Sequence, residues 1–366
     1  MKRKITLSII LLSTVYNLFS QDFYASRRDF SDPNNYVHSM LELDNNGNMI
    51  LNTYDYTATF PGFNGVESLT YNSDLDEIYG ISEGLVLVYD VSNNTESSFT
   101  LPTLSSGDYQ SIVIAENRLF VSARDYSDPN NYIHSLVELN TTTGSAINTY
   151  NFTNTSLGTE SIESLAYNPT TGEIYGIAEN LIVKYNINTQ TESSFNLPTT
   201  SNTDYKSIVI ADNRLFVTRR NYADAANYIF SLVELNTTTG NTMNSYDYTS
   251  SLLGFDSVES LSFNSETKDI YGLSDTVVLK YNIDTQVESS FDLPSITNGD
   301  YGAIVSTKQP STLSVDEFEI SNRHRKVVKV FNLLGQEVSK NTFNEVLVVL
   351  FDDGSRKKVY RKQAFN

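Results

Sequence analysis

The chain has 366 residues, with 25 Lys and Arg against 44 Asp and Glu, a formal net charge of −19, and neither Cys nor Trp. This acidic balance excludes a protein that binds nucleic acid through its phosphates. The lack of cysteine excludes disulfides, a cysteine nucleophile and a thiolate metal site. Hydrophobic residues make up 39% and aromatic residues 12% of the chain, which is enough for a packed core and argues against disorder.

The first 20 residues have the layout of a secretory signal peptide. Three basic residues at 2–4 precede an apolar stretch at 5–19, and the small Ser20 stands before Gln21. The stretch is shorter than the roughly 20 apolar residues of a membrane-spanning helix, and Ser and Asn interrupt it. We therefore predict a signal peptide over 1–20, export of the protein, and no membrane span once the signal is removed.

Residues 21–308 contain an internal repeat with a step of 96 residues. Its clearest sign is RDFSDPNNY at 28–36, which returns as RDYSDPNNY at 124–132 and more loosely as RNYADAANY at 220–228. A weaker half-repeat inside each copy gives a module of about 48 residues. Each module has four short stretches of β-forming residues separated by turn residues. In the module that begins at Glu163 these stretches are 163–167, 173–177, 181–187 and 192–197.

Four strands in a module of this length are typical of one blade of a β-propeller. The sequence therefore predicts an all-β fold, a six-bladed propeller of three tandem double-blade repeats over 21–308. The first strand, at 23–28, begins inside a module, whereas DYGAIV at 300–305 repeats the innermost strands DYQSIV at 108–113 and DYKSIV at 204–209. We expect this C-terminal strand to complete blade 1 and close the ring, which removes open sheet edges. The alternative is a solenoid with capping ends.

Six residues fall at equivalent starts of the predicted innermost strands: Glu67, Gln110, Glu163, Lys206, Glu259 and Gly302. Similar positions in known propellers border the mouth of the central channel, where ligands bind. The resemblance implies a ring in which three carboxylates alternate with an amide, an ammonium group and a gap. The three carboxylates could together hold Ca²⁺, which favours oxygen ligands. Alternatively, they cap backbone groups or pair with Lys206.

A second candidate site is a polar loop that recurs in alternate blades at 29–35, 125–131 and 221–227. We expect it to project from the same mouth. Its polar residues, Asp32 and Asp128 among them, suit oxygen coordination or sugar hydroxyls. They are also common turn residues that bond to their own backbone.

An arginine enters each of these loops although the body of the chain is acidic; the three are Arg28, Arg124 and Arg220. They are candidates for binding a ligand beside the predicted ring. The alternative is that they pair internally with Asp29 and Asp125.

No catalytic constellation can be assembled from the sequence. His38 and His134 share a repeat position that is Phe230 in the third copy, which indicates packing, and His324 lies in the tail. There is no convincing Ser-His-Asp order or His-x-x-x-His pair, and no Gly-rich phosphate loop.

Composition changes after Lys308. Residues 21–308 hold 12 Lys and Arg against 37 Asp and Glu, a net charge of −25, whereas residues 309–366 hold 10 against 7. The sequence QPST at 309–312 is typical of a linker. We predict that a separate small domain follows it, over 313–366.

This tail has β-forming stretches at 327–338, 346–351 and 357–360, which predict a small β-sandwich-like domain. With its NLLGQEV and DDGSRKKV segments, it resembles the C-terminal sorting domain of the type IX secretion system of Bacteroidetes. It departs from that family where the residues at 346–351 replace a common Gly-x-Tyr strand. The resemblance implies that the type IX machinery carries the protein across the outer membrane, removes the tail, and leaves the protein at the cell surface or in the medium.

We therefore expect a secreted or cell-surface propeller that acts as a non-catalytic binding module for a glycan, a peptide or another surface protein, with the acidic mouth as its contact face. One alternative resembles the six-bladed lactonases. It is a Ca²⁺-dependent hydrolase or lyase, in which an ion at the channel mouth polarises a carbonyl or activates water. The other is an adhesin or structural surface protein whose propeller only presents loops.

Overall fold

The computed structural model describes residues 23–32, 36–44, 49–56, 65–129, 132–153, 157–178, 180–198, 201–224, 228–248, 257–308, 327–332, 336–338, 345–351 and 356–361. The predicted signal peptide, the predicted linker and the DDG turn of the tail lie outside these residues. The chain divides into two compact units, Met1–Ser311 and Thr312–Asn366.

The described residues of the first unit form strands and turns but no helix. The strands are β1 (Phe23–Asp29), β2 (Val37–Leu43), β3 (Ile50–Asp55), β4 (Ser68–Asn72), β5 (Glu77–Ser82), β6 (Leu85–Asp90), β7 (Thr95–Thr100), β8 (Gly107–Ala115), β9 (Arg118–Asp125), β10 (Ile133–Leu139), β11 (Ala146–Asn151), β12 (Ser164–Asn168), β13 (Glu173–Ala178), β14 (Leu181–Asn186), β15 (Thr191–Asn196), β16 (Thr203–Ala211), β17 (Arg214–Asn221), β18 (Ile229–Leu235), β19 (Thr242–Asp247), β20 (Ser260–Asn264), β21 (Asp269–Ser274), β22 (Val277–Asn282), β23 (Glu288–Asp292) and β24 (Gly299–Ser306).

These strands form six four-stranded antiparallel sheets, the blades of a propeller. From the innermost strand outward, blade 1 is β24-β1-β2-β3, blade 2 is β4-β5-β6-β7 and blade 3 is β8-β9-β10-β11. Blades 4, 5 and 6 are β12-β13-β14-β15, β16-β17-β18-β19 and β20-β21-β22-β23. The six innermost strands contact one another in a closed ring. The prediction of an all-β, six-bladed propeller is confirmed.

Blade 1 contains the two ends of the propeller. Strand β24 pairs with β1 in antiparallel register, from Phe23 opposite Ser306 to Asp29 opposite Gly299. The last propeller strand therefore supplies the innermost strand of the first blade. This hydrogen-bonded ladder joins residues at least 270 positions apart and holds the ring closed.

Apolar side chains pack between neighbouring blades. There are six hydrophobic clusters, and each draws its buried residues from two adjacent blades. The equivalent Tyr79, Tyr175 and Tyr271 are each 1% exposed, so these three repeated tyrosines belong to the core. The glycine that follows each tyrosine permits close packing; at Gly80, a Cβ would stand 2.6 Å from a Val66 methyl group.

The repeated histidines are also packing residues, as predicted. His38 and His134 are buried, and Phe230 is buried at the same position of the third copy. Burial lowers the pKa of His134, whose Nε2 lies 3.2 Å from the carbonyl oxygen of Gly158. A neutral imidazole and a phenyl ring are therefore interchangeable here.

The described residues of the second unit form one antiparallel sheet of β25 (Val327–Asn332), β26 (Glu345–Phe351) and β27 (Arg356–Arg361), in that order. An isolated bridge joins Phe331 to Glu337. One sheet does not make a sandwich, so that arrangement and the identity of the sorting domain stay predictions. Across the described residues, no helix has the length and apolar character needed to cross a membrane.

Candidate ligand-binding site at the channel mouth

The six innermost strands begin on the same face of the propeller, which we call the mouth. A cavity of about 570 Å³ lies there, within the range of about 300–1,000 Å³ that is common for small-molecule sites. Its lining residues are Arg28, Gly65, Glu67, Gln110, Glu163, Lys206, Ser257, Glu259, Asp275, Asp300, Tyr301 and Gly302. All six residues of the predicted ring are among them, so ring closure brings one residue from every blade to a single cavity.

In alternate blades, the ring residue lies on a β-bulge. The pairing of β8 with β9 gains an extra residue between Tyr109 and Ile112, where Gln110 lies. The same irregularity occurs in β16 around Lys206 and in β24 around Gly302. A bulge redirects side chains and is common beside binding sites. It accounts for three ring positions that regular pairing would not place there.

At each bulge, one backbone N–H donates to a buried side-chain hydroxyl. The N–H of Ser111 donates to Ser122 Oγ over 3.0 Å, and this hydroxyl donates to the Ile162 carbonyl oxygen over 2.9 Å. Because Ile162 precedes Glu163, this hydroxyl relay ties the bulge of blade 3 to the ring glutamate of blade 4. The equivalent hydroxyls in blades 5 and 1 are those of Thr218 and Ser26.

One ring carboxylate is paired with the ring ammonium group. Lys206 Nζ lies 3.1 Å from Glu163 Oε2 and 3.4 Å from Glu163 Oε1. The pairing of a ring glutamate with Lys206 was one of the predicted alternatives. It neutralises the part of the cavity between blades 4 and 5.

The gap in the ring is required by packing. A Cβ at Gly302 would stand 2.2 Å from the Val66 carbonyl oxygen and 3.1 Å from Ser26 Oγ. Real Cβ atoms do not approach backbone atoms so closely, so no other residue fits without a shift of the chain. The vacancy is therefore part of the fold.

The lining as a whole is acidic. It holds five carboxylates and two cations, Arg28 and Lys206, which gives a net charge of −3. Desolvation by the surrounding protein raises the pKa of Glu67, and the nearby Glu259 carboxylate raises it further. Ser257 Oγ donates to Glu259 Oε1 over 3.2 Å. Negative charge is thus concentrated on the side of the cavity that contains blades 6, 1 and 2.

The three loop arginines are internally paired, but with other partners than expected. Arg124 binds Asp108 through Nε and Nη2, at 3.2 Å and 2.5 Å. The equivalent pairs in blades 5 and 1 are Arg220 with Asp204 and Arg28 with Asp300. Of the three arginines, Arg28 lies in the lining of the cavity, whereas Arg124 and Arg220 do not.

Strand geometry explains this correction to the partners Asp29 and Asp125. Asp108 and Arg124 stand directly opposite each other in the ladder of β8 and β9, so their side chains share a sheet face. Asp125 follows Arg124 directly, and consecutive strand side chains point to opposite faces. Its Oδ1 instead accepts the N–H of Ser127 over 2.9 Å, a turn-forming contact.

The loop residues Asp32 and Asp128 are exposed and do not belong to the cavity lining. The loops leave from the ends of β1, β9 and β17, which pair with the starts of β24, β8 and β16, so they do begin on the mouth face. The last residues of each loop, at 33–35, 130–131 and 225–227, lie outside the described part of the chain. A ligand-binding role for Asp32 and Asp128 stays a prediction.

Each loop is bracketed by an aromatic pair that the sequence analysis did not single out. The ring centroids of Tyr126 and Tyr132 are 5.9 Å apart, and Arg124 Cζ lies 5.5 Å and 5.9 Å from them. The corresponding pairs are Phe30 with Tyr36 and Tyr222 with Tyr228. The signal was the return of an aromatic residue two and eight positions after each loop arginine.

Calcium binding by the three ring glutamates stays a prediction. No group of three or more Asp, Glu, His or Cys among the described residues is arranged to hold a metal ion. Glu67, Glu163 and Glu259 belong to alternate blades around the channel, and Glu163 already pairs with Lys206.

Sequence reasoning also missed Asp275 as a lining residue. It lies in the turn between β21 and β22, and the equivalent turn of blade 2 holds Glu83, which contributes to the raised pKa of Glu67. Turns between the second and third strands of propellers border the mouth, and this rule applied to both turns would have found these two carboxylates.

Comparison with known proteins identifies the architecture. No family model matches the chain, and no curated protein does. A Bacteroides caccae protein of unknown function aligns with 79% of this chain and 100% of its own, at 12% identity and a TM-score of 0.53. A chain from the crystal structure of a nidogen/laminin complex aligns with 78% of this chain and 98% of its own, at 10% identity and a TM-score of 0.54.

A streptogramin B lyase structure aligns with 82% of this chain and 83% of its own, at 11% identity and a TM-score of 0.43. At such low identities, likeness extends to the fold alone. The two structures with TM-scores above 0.5 agree with the propeller architecture. The comparisons assign no ligand to the cavity.

Proposed function

We propose that this protein is a secreted or cell-surface binding module that takes its ligand into the mouth cavity and catalyses no reaction. The observation that supports this most is the convergence of one residue from each of six blades on a single cavity of about 570 Å³. Concave sites with a few converging polar groups are the usual places where ligands bind. Candidate ligands are a glycan, a peptide or part of another surface protein.

The side chains of the cavity favour binding over catalysis. Acid–base or nucleophilic chemistry needs a positioned base beside the reacting group. The described lining contains neither His nor Cys, and two of its five carboxylates are held by Lys206 and Arg28. The hydrolase alternative, in the form that needs three glutamates around one ion, has no site of that kind within the described residues.

Export through the type IX secretion machinery is part of this proposal. It is supported by the resemblance of the tail to a sorting domain and by the signal-like segment at 1–20. The machinery would then be a partner of the tail, and the propeller would act outside the cell. Deletion of 313–366 should leave the protein in the periplasm, and cell fractionation would measure this.

The adhesin alternative is favoured by one observation, the aromatic pairs of the loops. Tyr126 and Tyr222 are 38% and 39% exposed on the mouth face, and each packs against a second tyrosine. Aromatic side chains contribute much of the binding energy in protein–protein interfaces. In this alternative, the ligand contacts the loops and leaves the cavity open.

An array of glycans, peptides and surface proteins, probed with the full chain, tests the proposal. Gln110→Trp would place a bulky indole ring in the cavity without removing a charge, and we expect it to abolish the binding that the array detects. The control is Asp284→Asn, which changes an exposed residue in the turn after β22, on the face opposite the mouth. The proposal would be contradicted if no member of the array bound the protein. It would also be contradicted if the Gln110→Trp variant, with an unchanged melting temperature, bound the same ligands as the wild type.

A further inference from the structure

The ring is built from three copies of one pair. Each ring glutamate is followed 43 residues later, in the next blade, by the ring residue that flanks it. The three pairs are Glu67 with Gln110, Glu163 with Lys206, and Glu259 with Gly302. In the second pair, the partner is an ammonium group at 3.1 Å and 3.4 Å from the two carboxylate oxygens. The Glu163–Lys206 pair thus shows that an ammonium group fits beside a ring glutamate in this cavity.

In the third pair, the partner side chain is missing. Gly302 lies in the cavity lining, on the same kind of bulge as Lys206. A side chain there is excluded by the Val66 carbonyl oxygen, 2.2 Å from the place of a Cβ. The space that the Lys206 side chain fills in blade 5 is consequently left in blade 1 to the cavity.

Two carboxylates border this vacancy, one in the blade on each side. Glu259 precedes blade 1 around the ring and Glu67 follows it. Oε1 of Glu259 accepts the Ser257 hydroxyl, which leaves Oε2 for another donor. The charge of Arg28 acts on Glu67, but Arg28 is held by both oxygens of Asp300. Arg220 interacts electrostatically with Glu259, but it is held by Asp204. No ion pair of Glu67 or Glu259 occurs within the described residues.

We propose that the ligand presents a primary ammonium group at Gly302, between Glu259 and Glu67, in the place that Lys206 occupies beside Glu163. This inference rests on the proposed function and names the chemistry of its ligand. An ammonium group has three N–H donors, and charged hydrogen bonds to carboxylates are the strong ones. The remaining cavity accommodates the carbon chain that bears it. Two sources share this chemistry, a lysine side chain of a peptide and a small free diamine.

Isothermal titration calorimetry of the full chain with three probes tests the proposal. The probes are the peptide acetyl-Gly-Lys-Gly-amide, the same peptide with an acetylated lysine, and 1,5-diaminopentane. We expect one bound ammonium probe per chain and no detectable binding of the acetylated peptide. Tighter binding of the peptide than of the diamine identifies a lysine-bearing partner, and the reverse order identifies a free amine.

Two variants locate the site. Glu259→Gln should weaken the binding of the ammonium probe at least tenfold, whereas Asp284→Asn, which removes the same charge on the opposite face, should leave it unchanged. Lys206→Gly copies the residue of blade 1 into blade 5 and frees Glu163. We expect it to add a second binding site, so that the stoichiometry rises from one to two.

The failure of this inference can be distinguished from the failure of the proposed function. Equal binding of the acetylated and unmodified peptides, or unchanged affinity in Glu259→Gln, overturns the ammonium site. If the array then still detects a ligand that Gln110→Trp abolishes, the cavity remains a binding site for other chemistry. If neither the array nor the ammonium probes bind, both proposals are wrong.

Discussion

At the scale of single residues, the propeller contains buried carboxylates outside the cavity lining, each paired with an arginine. Arg118 donates to both oxygens of Glu138 at 2.7 Å, and Asn148 donates to the same carboxylate at 2.8 Å. The Glu138 side chain is 7% exposed. The hydrogen bonds from Arg118 hold the pKa of this carboxyl below its ordinary value. Arg214 and Glu234 repeat the arrangement in blade 5.

Glu138→Gln should lower the free energy of unfolding at pH 7 by about 2–4 kcal/mol, because removal of one partner leaves the other charge poorly compensated. A lowered pKa in the folded state means that the pair stabilises the fold above the ordinary carboxyl pKa. This contribution is lost as the pH falls through the folded-state pKa. Urea unfolding of wild type and variant should therefore show a smaller difference at pH 3 than at pH 7, and an equal difference at both would contradict the assignment.

How far single residues could be predicted from the sequence depended on where their partners lie. Glu67, Glu163 and Glu259 were predicted because they recur every 96 residues in the sequence. The partner of Arg124 was missed because Asp108 stands across a strand ladder, at a place that only the register defines. That Gly302 leaves a gap was visible in the sequence. The reason for it, a carbonyl oxygen of the next blade, was not.

At the scale of elements, the bulges and their hydroxyl relays position the ring. Ser122 is 2% exposed and connects the Ser111 N–H of blade 3 with the Ile162 carbonyl of blade 4. The sequence predicted the strands themselves, since β-forming stretches alternate with turn residues. It did not predict the bulges, because an extra residue in one strand is recognised only against its partner.

Ser122→Ala should lower the free energy of unfolding by roughly 2–4 kcal/mol, because it leaves a buried donor and a buried acceptor without partners. Ser122→Thr should restore most of the loss, since Thr218 makes the same two bonds in blade 5. Ser194→Ala, at an exposed serine of β15, is the matched control. Chemical denaturation measures all three, and a Ser122→Ala variant as stable as the control would show that the relay does not support the ring.

At the scale of the whole molecule, closure depends on the pairing of β24 with β1. The repeat DYGAIV made this closure predictable, because a fourth strand missing from one end reappeared at the other.

Removal of β24 would expose the edge of β1 and open the hydrophobic clusters to which Ile304 and Val305 belong. We expect truncation after Asn298 to abolish the cooperative thermal transition. Truncation after Ser311 keeps every described strand of the propeller and should retain that transition, which calorimetry detects.

The register of blade 1 also determines where the chain enters and leaves the propeller. Phe23 and Ser306 stand opposite each other at the end of the β1–β24 ladder that is remote from Asp300 and the cavity. The chain therefore enters and leaves the propeller on the face opposite the mouth. A tether or fusion partner attached through either segment would start there, so immobilisation by this route leaves the opening unobstructed for large ligands.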